Sequence, residues 1–212
     1  MTGKSVKMTI VAGIGLLGAS LEMTHPPPGP ASFFLTSQGS GNGGDLGGLE
    51  GADAICQSLA ESAGHGDLTW RAYLSTQGRN AVDARDRIGD GPWFNVNGAR
   101  IAANLAELHS TANRISGFNA LDERGRRIPG SGFAPNRHDI LTGTQADGTA
   151  YPAGEDMTCN NWTSSSDNNK ARVGHHDFAA WASTHDSRGC SQSALVSTGG
   201  DGLFYCFAID AE

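Results

Sequence analysis

Four cysteines, Cys56, Cys159, Cys190 and Cys206, constrain this chain more than any other feature. Three lie from residue 159 onward. Cys56 sits far upstream, on a stretch where Ala52, Ile55, Cys56, Leu59 and Ala63 recur at helical spacing. Four cysteines admit three pairings. The nested one, Cys56 with Cys206 and Cys159 with Cys190, would tie an early helix to the final strand and staple a long loop. In the chain-entropy model such bridges contribute about 5 and about 4 kcal/mol respectively. That matters for a chain with 30 glycines among 212 residues, in which much backbone entropy is lost on folding.

The N-terminus predicts an oxidising destination. Lys4 and Lys7 precede an apolar run from Met8 to Ala19, and Gly18, Ala19 and Ser20 offer a cleavage site. A run this short reads as a secretory signal peptide over residues 1–20, with an uncleaved anchor as the alternative. Residues 21–31, with His25-Pro-Pro-Pro-Gly-Pro30, form a proline-rich spacer, leaving 32–212 as one domain with no membrane span after cleavage. Export implies a secreted, periplasmic or cell-surface protein, where disulfides persist. The leader looks bacterial in style.

Charge excludes some partners. The formal net charge is −7, and removing Lys4 and Lys7 makes the chain more acidic still, with Lys170 the one remaining lysine. Nucleic acid and heparin-like polyanions need a basic footprint, which is missing here.

Along the chain, Ala31–Ser37 reads as a first strand, followed by the glycine-rich connection Gln38–Gly48 and a helix over 49–63. Thr69–Thr76 alternates like a strand. Asn80 is a plausible N-cap for a short helix to Ile88, whose Asp83, Arg85, Asp86 and Arg87 read as a solvated face. Gly91–Ile101 suggests a hairpin around Asn97-Gly98, and Ile115–Ile128 two short strands around a turn containing Asp122 and Glu123. Asp139–Thr144 is a further strand. Tyr151–Cys190 is a long polar loop, and Leu203–Asp210 closes the chain as a buried strand. The expected fold class is α+β.

Several segments carry a family likeness. Gly51-Ala-Asp-Ala-Ile-Cys56-Gln, Thr69-Trp-Arg-Ala-Tyr-Leu-Ser75, Thr158-Cys159-Asn-Asn-Trp162, Gly189-Cys190-Ser and Leu203-Phe-Tyr-Cys206-Phe-Ala-Ile together resemble the endostatin-like domain of collagens. That domain is a variant of the C-type lectin-like fold. The likeness covers roughly Phe33 to Asp210. It implies two short helices around twisted antiparallel sheets, a long loop, and disulfides Cys56–Cys206 and Cys159–Cys190. The stretch Leu46 to Gln57 also resembles a group of exported bacterial proteins. The tripeptides with which C-type lectins bind sugar through calcium do not occur here, and neither the arginine clusters nor the N-terminal histidines of vertebrate endostatins have an equivalent. The fold transfers without its ligands.

The polar loop holds the candidate sites. His175-His176-Asp177 and His185-Asp186 suit a transition metal such as zinc, with His176, Asp177 and His185 as the expected ligands. Glu155, Asp156, Asn160, Asn161, Asp167, Asn168 and Asn169 form an oxygen-rich set that calcium could use, though Asp and Asn also dominate turns. Trp162, beside Cys159, is expected to pack on the disulfide, whereas Trp181 is the better candidate for a sugar-stacking face. Asn160, Asn161, Asp167 and Trp181 are therefore the expected ligand-binding residues. Catalysis has little support: no GxSxG elbow occurs, and both bridges would leave no thiol nucleophile. The expected function is non-catalytic recognition of a glycan or protein at the cell surface. A structural or matrix-interaction protein and a metal-dependent hydrolase are the rivals.

Overall fold

The computed structural model describes residues 30–210. The signal peptide and nearly all of the spacer expected from the sequence lie outside them. Among the described residues the chain is α+β: β1 (Phe33–Leu35), α1 (Gly48–Ser62), β2 (Trp70–Ala72), a 3-10 turn (Ala84–Arg87), β3 (Trp93–Phe94), β4 (Arg100–Ala102), α2 (Leu105–Leu108), β5 (Asp139–Leu141), α3 (Cys159–Trp162), β6 (Arg172–His175), β7 (His185–Asp186), α4 (Gln192–Ser197) and β8 (Gly200–Ala208). No described helix is long and apolar enough to cross a membrane.

β8 organises the molecule. Its nine residues pair antiparallel with β1 and β2 and parallel with β5, and the main sheet runs β1-β8-β5-β6-β7. Cys206 is flanked by Phe34 of β1 on one side and Ala72 of β2 on the other. A strand so enclosed must be apolar on both faces, which explains the unbroken run Leu203 to Ala208. Alternation divides it between two cores. Phe204, Cys206 and Ala208 pack with Phe34, Trp70, Leu141 and Trp162. Leu203, Tyr205 and Phe207 pack with Phe33, Tyr73, Trp93 and Trp181.

α1 covers the first core with Ala52, Cys56, Leu59 and Ala60, the spacing the sequence predicts. Its polar side does a second job. Asp53 accepts the Ala72 N–H and Gln57 accepts the Trp70 N–H, so the helix satisfies backbone donors of β2. The nested disulfides are present, Cys56–Cys206 and Cys159–Cys190, with Cα–Cα distances of 5.7 Å in both.

Several local expectations change. Gln38–Gly48 is a tied segment, with Gly43 N–H donating to Gln192, Gly44 N–H to the Cys190 carbonyl and Leu46 N–H to the Trp162 carbonyl. The Asn80 helix reduces to the 3-10 turn, and Asp83 before it accepts the Ala150 N–H in place of capping the turn. Arg87 of that turn is buried, because its guanidinium pairs with Asp53 and donates to the Ala72 carbonyl. Asp122 and Glu123 are buried as well. Asp122 accepts the N–H groups of Arg124 and Arg126, and Glu123 accepts both the N–H and the hydroxyl of Ser37. Backbone donors there replace water for the carboxylates. Ile115–Ile128 forms one bridge, Leu121 to Arg127, in place of two strands. The polar loop Tyr151–Cys190 contains β6 and β7, which extend the main sheet.

Candidate functional site

Asp139 of β5 stands directly opposite His175 of β6, and His185 of β7 stands opposite Val173, two residues along β6. Side chains of one strand alternate between faces, so this register sets Asp139, His175 and His185 on one face of the sheet. His138, just before β5, closes the group. Around the Asp139 carboxylate, Oδ1 lies 3.1 Å from His138 Nε2, 3.1 Å from His175 Nε2 and 3.4 Å from His185 Nε2. The His175 and His185 Nε2 atoms are 3.1 Å apart. Among the described residues, His138, Asp139 and His175 are the group of His, Cys, Asp and Glu side chains whose ligand atoms lie within 4.8 Å of one another.

The backbone allows this convergence at Gly174. A Cβ there would collide with the Trp181 carbonyl, so the segment after β6 folds back tightly on the strand and returns His185 beside His175. Burial holds the His175 imidazole below its ordinary pKa, and neighbouring His138 adds to the effect against the opposing pull of Asp139.

Of the expected metal ligands, His185 joins this group. His176 turns its ring into the protein, where it is fully buried and both ring nitrogens lack a hydrogen-bond partner among the described residues. Burial keeps its pKa low. Asp177 lies on the far side of His138: its Oδ1 is 3.6 Å from His138 Nδ1, and its Oδ2 accepts the Ser131 N–H at 2.6 Å. Sequence reading missed His138 and Asp139 because the pair looks like an ordinary strand opening. The His-Asp dipeptide was a signal, but only pairing of β5 with β6 gives it partners.

The expected ligand residues separate. Asn160 and Asn161 lie in α3, a turn in which all four residues have positive φ, from 48 to 66°. Asn tolerates this left-handed conformation better than most residues. Asn161 is spent on structure: its Oδ1 accepts the Gln77 N–H and its amide donates to the Gln77 carbonyl. Both asparagines line a polar hollow of about 270 Å³ with Asp156 and Gln77. Within the oxygen-rich set, Asp156 accepts from the Thr158 and Asn160 N–H groups. Asp167 is apart, accepting the Ser191 N–H. Trp181 is 3% exposed, its indole donating to the Leu108 carbonyl and packing on Tyr73 and Tyr205, so it has no free face for a sugar. Trp162 is buried with the Cys159–Cys190 bridge in the first core.

A cavity of about 590 Å³ opens beside the histidine group. Phe118, Phe133 and Phe178 line it and are 73%, 64% and 54% exposed. Arg127 lies 4.4 Å over the Phe118 ring, and Ser131 and Asp177 add polar groups. The Phe178 ring also packs against His175, with centroids 6.0 Å apart, so the cavity wall and the histidine group share a border. Comparison of the chain with protein-family models and with curated proteins finds no match to either.

Proposed function

We propose that this chain is an exported, non-catalytic recognition module of the C-type lectin-like, endostatin-related class, and that a glycan docks at the phenylalanine-rimmed cavity. The class reading rests on the order of the nested bridges and the aromatic segments around them. The observation that carries the binding reading is the grouping of three well-exposed phenylalanines around one cavity. Single exposed aromatics need no explanation, whereas a cluster at a concave site marks a contact surface. Ring faces suit the C–H faces of a sugar, and Arg127, Ser131 and Asp177 offer donors and acceptors for its hydroxyls. Asp177 and Phe178 belong to the Tyr151–Cys190 segment, so the polar loop supplies one wall of the site.

A glycan array probed with the parent protein and with Phe118→Ala and Phe178→Ala tests this. Binding by the parent, lost in both variants at unchanged melting temperature, is the expected result. No glycan bound, or binding indifferent to both substitutions, would remove the reading. The border between the cavity and the histidine group favours a second reading, a metal-dependent hydrolase. It requires turnover of a glycoside or ester substrate that depends on an added divalent metal.

A further inference from the structure

We infer that Asp139, His138, His175 and His185 form a binding site for a divalent transition ion of the zinc class. The inference stands on these four side chains and does not depend on the glycan reading.

Spacing is the first reason. Zinc–nitrogen distances of about 2.0–2.1 Å place tetrahedral ligand atoms roughly 3.3 Å apart. Four such edges are present: 3.1, 3.1 and 3.4 Å from Asp139 Oδ1 to the three Nε2 atoms, and 3.1 Å between His175 and His185. His138 and His185 form the wide side of the group, and ion capture draws them together while fanning apart the stacked His138 and His175 rings, now 4.2 Å between centroids.

Protons are the second. His185 Nδ1 lies 3.0 Å from the Asp186 carbonyl, which can only accept. In the neutral ring that nitrogen therefore carries the hydrogen, and Nε2 turns a lone pair toward Asp139 and His175. A lone pair facing a carboxylate is repulsive, and a cation between them reverses the sign.

The third is the carboxylate itself. The Asp139 side chain is 2% exposed, and among the described residues neither of its oxygens has a hydrogen bond of proper geometry. A buried carboxylate in that condition is costly, and an ion answers it. His138 Nδ1 and Asp177 Oδ1 are likewise buried and, among the described residues, without hydrogen bonds, facing each other at 3.6 Å. A carboxylate behind a ligating imidazole is the usual outer support of a metal site. His185, 40% exposed, leaves an entry path from solvent.

The test uses tag-free, EDTA-treated protein titrated with zinc by calorimetry, with cobalt(II) as a spectroscopic stand-in. One equivalent of zinc, a rise in melting temperature with zinc concentration, and the strong visible bands of tetrahedral cobalt(II) are expected. His185→Ala, at the exposed ligand and therefore tolerant of folding, should weaken zinc at least tenfold. Asp177→Asn, a positioning change, should weaken it about ten- to a hundredfold while leaving one equivalent bound. Circular dichroism of each apo variant verifies the fold. Less than stoichiometric uptake by the folded parent overturns the inference, as does parental affinity in a folded His185→Ala.

Discussion

Cys206 of β8 pairs with Phe34 of β1 on one side and Ala72 of β2 on the other, and its sulfur is bonded to Cys56 on the buried face of α1, 150 residues earlier. Cys159 and Cys190 close a loop of 31. If constraint of the unfolded chain is the main effect, replacing Cys56 and Cys206 together by Ala should cost about 5 kcal/mol, and replacing Cys159 and Cys190 about 4. Equilibrium denaturation of the two double variants checks both values. A larger loss for the short loop would show that native packing around Trp162 and Gly44 outweighs chain entropy.

Gly174 is expected to resist any side chain. A Cβ there meets the Trp181 and Ala182 backbone, which cannot swing aside as a flexible side chain could. Gly174→Ala should cost about 1–3 kcal/mol, the range for overpacking a well-filled interior. Because the same contact returns His185 beside His175, the variant should also lose zinc affinity at temperatures where it stays folded. Thermal melts with and without zinc read both effects.

Arg87 is 8% exposed and holds Asp53 and the Ala72 carbonyl together between the 3-10 turn, α1 and β2. Arg87→Ala leaves Asp53 without its cation and the carbonyl without that donor. Asp53 is partly solvated, so a loss of about 1–3 kcal/mol is expected, below that for a fully buried pair. A loss under a few tenths of a kcal/mol in urea unfolding would contradict this.

His109 should make the fold acid-sensitive. Its Nδ1 faces the Leu105 carbonyl at 2.9 Å, so Nε2 accepts the Tyr73 hydroxyl at 2.8 Å. Burial, the largest cause, lowers its pKa. The unfolded chain, with an ordinary histidine pKa of about 6.5, then takes up a proton that the folded state resists. Stability is retained above that value and falls as pH drops below it. In His109→Gln the fall between about pH 7.5 and 5 should be shallower than in the parent, measured by denaturant midpoint at each pH.

Local patterns were legible wherever a residue's environment follows from its near neighbours. The α1 spacing, the Leu203–Ala208 run and the hairpin of β3 with β4 all depend on contacts a few residues apart or on apolarity alone. The disulfide pairing was legible through family likeness. Charges misled: Arg87 reads as solvated in sequence and is buried, as are Asp122 and Glu123 of the turn, because their partners are backbone groups and side chains that no sequence pattern marks.

Sequence alone marked a buried final strand and an amphipathic helix carrying Cys56, since burial and periodicity are properties of short segments, while the bridge between them followed from family likeness. Of the three metal ligands it suggested, His185 meets Asp139 and His175, whereas His176 is buried elsewhere and Asp177 lies behind His138. Tertiary structure decided which groups meet. Asp139 acquires His175 only through the β5–β6 register and His185 only through the fold-back at Gly174, so its set of histidine neighbours is a property of strand pairing. The tertiary structure also places Trp181 in the second core and leaves Phe118, Phe133 and Phe178 exposed around the cavity.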